Sequence, residues 1–235
     1  KNNSGNLTIT DKVGDAGSLT VNGGKGGAGI GGGKGENGSN ITISGGIVTA
    51  EGGIDAAGIG GGSGGSGTNI TISGGSVKAV GYPNANDIGG GNGKSAVAPT
   101  LADGTTKVFL SQIDTASVSS VIIDGVEYPT THNGEAKIYP YFSEGFHTIV
   151  IDGTTKEAIY MSNEGSATSY SVGTVGAFEV YGGTLNTDYS YSGNVLTISG
   201  GTTPLMIKNT DPNAATTDKI EVASGISANI TLAGI

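Results

Sequence analysis

A repeat of 29 residues is the feature that most constrains the fold of this chain. The segment Asn-Ile-Thr-Ile-Ser-Gly-Gly at residues 40–46 recurs 29 residues later, at 69–75. The segment Ala-Gly-Ile-Gly-Gly-Gly at 28–33 recurs at 57–62 with the same spacing, and Ile-Gly-Gly-Gly returns once more at 88–91. Two motifs with one period indicate stacked copies of one structural unit, because a unit this small cannot bury its apolar face alone.

The residues inside the repeat predict short β-strands that turn at glycines. In Ile41-Thr42-Ile43 the side chains alternate, so both isoleucines point to one face and Thr42 to the other. The Gly-Gly pair that follows permits a sharp corner with a positive φ. Three such strands in each period predict an all-β fold, a right-handed parallel β-helix with like residues in columns. The predicted columns are Ile41 over Ile70, Ile30 over Ile59 over Ile88, and Asn40 beside Asn69.

The glycine-rich pattern ends near residue 100, so the sequence predicts three segments. The parallel β-helix covers residues 1–100. Residues 101–170 contain short apolar runs, aromatic residues, and Asp-Gly and Asn-Gly turns, which predict a small antiparallel β-sandwich. Apolar-Thr-apolar runs return in 171–235, as in Leu196-Thr197-Ile198, and predict further β-helix rungs that either start a second helix or continue the first.

The charge of the chain excludes several kinds of partner. Its 235 residues include 11 basic and 20 acidic side chains, which give a formal net charge of −9, and no cysteine. We expect no nucleic-acid partner, because nucleic-acid binding needs a basic face. No apolar run is long enough to span a bilayer, so we expect no membrane insertion within this chain, and we expect export and attachment signals to lie outside it. No cofactor is predicted, except that the acidic balance could attract Ca²⁺.

Two parts of the chain resemble known families. The repeated motifs, together with the Asp-Gly, Asn-Gly and Glu-Gly-Phe-His-Thr segments of residues 124–151, resemble large surface proteins of anaerobic gut bacteria. This resemblance implies an extracellular protein associated with the cell surface. Residues 188–198, 218–222 and 228–232 resemble the start of bacterial carbohydrate-binding β-helix domains. That second resemblance implies a domain that binds acidic plant polysaccharide and uses calcium.

The residue pattern predicts no catalytic site. A β-helix glycoside hydrolase needs neighbouring carboxylates, and a related lyase needs a basic residue beside calcium-binding acids. His132 and His147 lie in the segment predicted as a sandwich and form no recognisable Ser-His-Asp set. A fragment of a polysaccharide lyase or hydrolase stays an alternative. The acids of the repeats fall in different columns and are expected to be solvated turn residues: Glu36, Glu51, Asp55 and Asp87.

Carbohydrate binding is the function that the sequence favours, and sugar rings usually stack on aromatic faces. Because tryptophan is absent, the candidate platforms are tyrosines: Tyr82, Tyr181, Tyr189 and Tyr191. Tyr82 interrupts a corner built of small residues, whereas the other three could serve ordinary packing. We therefore expect a non-catalytic bacterial cell-surface module for adhesion or for binding a polysaccharide or host glycan. A rigid stalk without a ligand is the alternative.

Overall fold

The computed structural model describes residues 5–11 and 17–234. Over these ranges every regular element is a β-strand, and the strands include a β-solenoid of about seven turns. The predicted all-β class and the parallel solenoid architecture are therefore confirmed. The chain divides into two compact units that alternate along the sequence. The first unit runs to Val121 and includes Glu127–Glu144 and Asn163–Gly165; the second comprises Ile122–Val126, Gly145–Ser162 and the residues from Ser166 onward.

The first unit begins with seven strands in stacked turns. They are β1 (Leu7–Ile9), β2 (Ser18–Asn22), β3 (Ile30–Gly31), β4 (Gly38–Glu51), β5 (Ile59–Gly60), β6 (Gly67–Val80) and β7 (Ile88–Gly89). Strands β4 and β6 are long because each continues through a Gly-Gly corner. β1 and β2 each pair in parallel with one half of β4, and β4 pairs in parallel with β6. β3, β5 and β7 form a second parallel sheet.

Equivalent residues of successive turns lie on top of each other, as the repeat predicts. Ile41 pairs with Ile70, and Ile59 pairs with Ile30 on one side and Ile88 on the other. All five side chains are buried in one apolar core. Burial of each isoleucine contributes roughly 2 kcal/mol to the free energy of folding. The core also contains further stacked residues, among them Ile43, Val48, Ile72 and Val77.

Glycines of one column allow the turns to approach closely. Gly60 has a φ of 132° and lies between Gly31 and Gly89 in the parallel ladder. A Cβ atom on Gly60 would lie 2.0 Å from the backbone oxygen of Gly89. Since two atoms cannot approach this closely, and since a side chain disfavours this φ, the column accepts only glycine.

The predicted asparagine column forms a hydrogen-bonded ladder. Asn69 Nδ2 donates to Asn40 Oδ1 at 3.1 Å. Both residues have a positive φ, 57° for Asn40 and 51° for Asn69, a conformation that asparagine tolerates better than most residues. The asparagine side chains therefore link the two turns at a corner where the positive φ of the backbone also favours asparagine.

Segments without the repeat cover the third turn. They carry β8 (Val108–Leu110), β9 (Ile113–Asp114), β12 (Lys137–Ile138) and β13 (Tyr141–Ser143), whereas β10 (Val121–Ile123) and β11 (Val126–Tyr128) lie between them in the sequence and join the sheet of β14 (Gly145–Ile151). β8 pairs antiparallel with β13, and β9 pairs antiparallel with β12. Ile72 N–H donates to Thr100 O and Val77 N–H donates to Tyr139 O, both at 2.9 Å. These bonds occupy the outer edge of β6.

The second unit combines antiparallel pairing with parallel stacking. Its strands are β14 (Gly145–Ile151), β15 (Thr155–Met161), β16 (Ala167–Val175), β17 (Phe178–Tyr181), β18 (Tyr189–Ser192), β19 (Val195–Ile198), β20 (Leu205–Asn209), β21 (Lys219–Val222) and β22 (Ile230–Ala233). The strands β14, β15, β16, β17 and β20 pair antiparallel in this order. Parallel pairs β19–β21 and β20–β22 follow, as expected for solenoid rungs within 171–235.

The antiparallel sandwich predicted for residues 101–170 is not confirmed. Residues of this range are divided between the two units, and strands β14 to β16 continue into β17 and β20 within one sheet. Turn residues indicate where these strands end, but without a repeat they do not indicate which strands pair. The right-handed winding and the domain boundaries at 100 and 170 stay predictions.

Candidate functional site

Tyr82 has the most accessible ring of the four predicted tyrosines, with 52 % of the residue exposed. It lies in the loop between β6 and β7. Its N–H donates to Ala56 O at 3.2 Å, as Gly53 N–H donates to Gly27 O at 2.9 Å one turn earlier. Tyr82 therefore occupies the corner position of Gly53 and adds an aromatic ring where the preceding turn has no side chain.

The other three predicted tyrosines are packed within the second unit. Tyr181 and Tyr189 are buried, and Tyr191 is half-buried. The hydroxyl of Tyr181 donates to Glu179 at 2.9 Å, and that of Tyr191 donates to Asp218 at 2.6 Å. Burial is the main cause that raises the pKa of Tyr181, and the bond to Asp218 is the main cause that raises the pKa of Tyr191. The two buried rings present no open face to a sugar.

A buried polar cluster of Thr49, Ser76, His132 and Tyr139 lies within the first unit. Ser76 and His132 are 0 % and 1 % exposed. His132 Nδ1 lies 2.7 Å from Ser76 Oγ, and Nε2 lies 2.8 Å from Thr49 Oγ1. Ser76 Oγ also accepts a hydrogen bond from the backbone N–H of Tyr139 at 2.9 Å. The cluster thereby fixes the segment around His132 onto β4 and β6.

Charged and polar side chains surround the buried polar cluster. Lys78 Nζ lies 3.2 Å from Glu135 Oε1, and the hydroxyl of Tyr139 donates to Glu135 Oε2 at 2.9 Å. Lys78 Nζ also lies 5.3 Å from the centroid of the Tyr139 ring. Asn133 Nδ2 donates to Thr49 Oγ1 at 2.8 Å. Every polar side chain of the cluster therefore has a hydrogen-bond partner.

The sequence analysis missed this cluster and placed His132 in a turn of the predicted sandwich. The two hydroxyl partners precede His132 by 56 and 83 residues, and no repeat relates these positions to His132. One signal was present in the sequence, because Ser76 stands in register with Ile47 of the preceding turn. A small polar residue at an apolar position of the repeat indicates a polar neighbour, since a buried hydroxyl needs a partner.

His132 is expected to make the protein less stable as the pH falls below about 6.5. Burial is the main cause that lowers its pKa, and the positive charge of Lys78 acts in the same direction while Glu135 opposes it. The unfolded chain then binds a proton at His132 that the folded chain does not bind. The free energy of unfolding should therefore fall between about pH 7 and about pH 5, by at most about 1.4 kcal/mol per pH unit, as measured by urea denaturation.

Two variants test whether His132 causes this pH dependence. His132→Gln should be less stable at neutral pH but should lose the fall in stability, whereas His147→Gln should keep it. If the native chain is equally stable or more stable at the lower pH, the neutral buried state of His132 is wrong.

Ser76 and His132 do not form a nucleophilic triad with a carboxylate. Ser76 and His132 are closed off from solvent, and the second ring nitrogen of His132 contacts a threonine hydroxyl rather than a carboxylate. His147 Nδ1 lies 2.6 Å from Asp124 Oδ2, and Asp124 Oδ1 accepts a hydrogen bond from Thr148 N–H at 2.7 Å. The carboxylate of Asp124 therefore fastens its own turn to β14.

The described residues contain no group of three or more His, Cys, Asp or Glu side chains that could hold a metal ion. Binding of Ca²⁺ stays a prediction.

An open cavity of about 480 Å³ lies beside the third turn in the first unit. Pro99, Phe109 and Leu110 contribute apolar walls, and Asp87 and Tyr141 contribute polar atoms. Asp87 is exposed, and its place beside the cavity was not predicted from the sequence. Most of the cavity walls come from segments that do not share the 29-residue period, so the repeat could not predict the cavity.

Comparisons of the chain with family models, curated protein sequences and solved structures found no match. The part of the chain that the structure describes contains no helix long and apolar enough to cross a membrane.

Proposed function

We propose that this chain is a non-catalytic module of a bacterial cell surface that binds carbohydrate. The observation that carries the proposal is the exposed ring of Tyr82 at a corner of the stacked solenoid. An exposed aromatic ring combines a large apolar face with a polar hydroxyl, which matches the apolar face and the hydroxyl edge of a sugar. The backbone of Tyr82 is hydrogen-bonded to the preceding turn. This bond holds the loop in place and reduces the conformational entropy that binding would cost.

The same proposal includes the handedness of the solenoid, the sandwich and the cellular location of the protein. We propose that the solenoid winds to the right, that residues 101–170 form a small antiparallel sandwich, and that the protein is exported and attached to the cell surface. The resemblance of the repeats to bacterial surface proteins supports the localisation. The net charge of −9 supports a soluble surface that avoids nucleic acid.

Tyr82→Ala is expected to weaken the binding of the best glycan ligand roughly tenfold, because it removes the stacking ring. Tyr82→Phe should bind like the native chain, because the ring remains. A glycan array probed with and without Ca²⁺ selects the ligand, and calorimetry then measures the affinities. Leu185→Ala, which alters another exposed apolar side chain in the second unit, is the control and should leave the affinity unchanged.

A rigid spacer without a ligand is the second candidate function. The observation that favours it is the parallel stacking of β4 on β6 and of β5 on β7, which gives a stiff element. Absence of glycan binding both with and without Ca²⁺ would reject carbohydrate binding and leave the spacer.

A further inference from the structure

The cavity beside the third turn combines an apolar wall with a single carboxylate. The pairing of β8 with β13 places Leu110 opposite Tyr141, and Val97 and Pro99 are also among the apolar residues that line the cavity. Asp87, an exposed residue at the end of the loop that precedes β7, is the acidic residue among those that line the cavity. An apolar surface with a few polar groups is the usual composition of a small-molecule site, and the volume of about 480 Å³ lies within the usual range of about 300 to 1,000 Å³.

Asp87 connects the cavity with the loop that carries Tyr82. Its Oδ1 accepts a hydrogen bond from Gly81 N–H at 2.9 Å, and Gly81 directly precedes Tyr82 in the chain. No ion pair joins Asp87 to any residue in the described ranges. Burial is the main cause that raises the pKa of Tyr141, and the negative charge of Asp87 adds to it. The cavity therefore contains a carboxylate whose charge no protein cation neutralises.

We propose that this cavity binds a neutral pyranose unit of a glycan, with Asp87 accepting hydrogen bonds from sugar hydroxyls. The apolar face of the sugar ring packs against the wall of Leu110 and Tyr141. Hydrogen bonds to a carboxylate are roughly twice as strong as bonds between neutral groups, so one acid suffices to orient the ring. This inference rests on the proposed function, and it specifies both the class of sugar and the place where it binds.

The charge of the site discriminates between sugar classes. A uronate would bring its own carboxylate close to Asp87, and the whole chain already has a net charge of −9. Like charges repel each other, so acidic polysaccharide should bind less well than neutral polysaccharide. The inferred ligand therefore differs from the acidic polymer that the resemblance of residues 188–232 implies.

The test measures binding of neutral oligosaccharides and of oligogalacturonate to the full chain by calorimetry. The neutral panel consists of cello-, xylo- and manno-oligosaccharides. Asp87→Asn is the test variant, because its amide oxygen can still accept the bond from Gly81 while the charge is lost. Asp55→Asn is the matched control. It removes one negative charge from the preceding turn. Asp55 is equivalent to Asn84 in the repeat, and Asp55 and Asn84 have similar φ values of 61° and 68°.

The expected result is binding of a neutral oligosaccharide that Asp87→Asn weakens at least tenfold and Asp55→Asn leaves unchanged, with both variants folded. Equal affinities of the two variants, or a preference for oligogalacturonate, would overturn the inference. If Tyr82→Ala abolishes binding and Asp87→Asn does not, the cavity is not the binding site but the proposed function survives. If no glycan binds to the native chain, the proposed function fails, and the inference fails with it.

Discussion

Gly60→Ala is expected to lower the free energy of unfolding by about 4 kcal/mol. The new methyl group would lie 2.0 Å from the backbone oxygen of Gly89. That oxygen cannot move away cheaply, because it accepts a hydrogen bond from Gly61 N–H at 2.8 Å. The φ of 132° adds backbone strain, since alanine strongly disfavours this region. Urea denaturation followed by circular dichroism measures the change.

Two other glycines separate the effect of stacking from the effect of backbone conformation. Gly64 has a φ of 77° but open space around its Cβ position, so Gly64→Ala should cost only about 1 kcal/mol. Gly24 has open space and no positive φ, so Gly24→Ala should change stability by less than about 0.5 kcal/mol. If Gly60→Ala costs no more than Gly64→Ala, the turns do not stack as closely as described.

Ser76→Ala is expected to destabilise the protein by about 3 kcal/mol, although it removes only one oxygen atom. The substitution leaves the backbone N–H of Tyr139 and one ring nitrogen of His132 without their partner. Both groups are buried, and each unpaired buried polar group costs about 1 to 3 kcal/mol. The same denaturation experiment measures this loss.

Ser73→Ala is the matched control, because Ser73 lies on the same strand and is exposed to solvent. It should change stability by less than about 0.5 kcal/mol. Combining Ser76→Ala with His132→Ala should cost less than the sum of the single changes, because both remove the same contact. Additive costs would show that Ser76 and His132 do not interact.

The stacked core could be predicted from the sequence because it repeats. A fixed period of 29 residues determines which residues share a column, so Ile41 and Ile70 could be paired without coordinates. Exposure of Tyr82 was predictable for the same reason, since a large side chain that interrupts a corner of small residues has no place inside the stack. Where the repeat continues, sequence spacing alone identifies spatial neighbours.

The buried polar cluster, the burial of two tyrosines and the cavity could not be predicted, because they depend on contacts between residues that the 29-residue repeat does not relate. His132 meets Thr49 and Ser76 only after the segment around it has folded back onto β4 and β6. The sequence around Tyr181 and Tyr189 does not distinguish them from exposed tyrosines. They are buried only by the packing of the second unit. The sequence does not distinguish Asp87 from the other acids of the repeats, because its place in the cavity depends on Phe109 and Tyr141, which lie outside the repeat.

The bonds along the outer edge of β6 have a consequence for self-association. A parallel stack that ended in a bare strand would offer its N–H and C=O groups as a template for another molecule. Here Thr100 and Tyr139 already satisfy the N–H groups of Ile72 and Val77. The buried polar cluster secures Tyr139 in that place. These two N–H groups of β6 are therefore not free to pair with another molecule, which should disfavour fibre growth from this edge by addition of identical molecules.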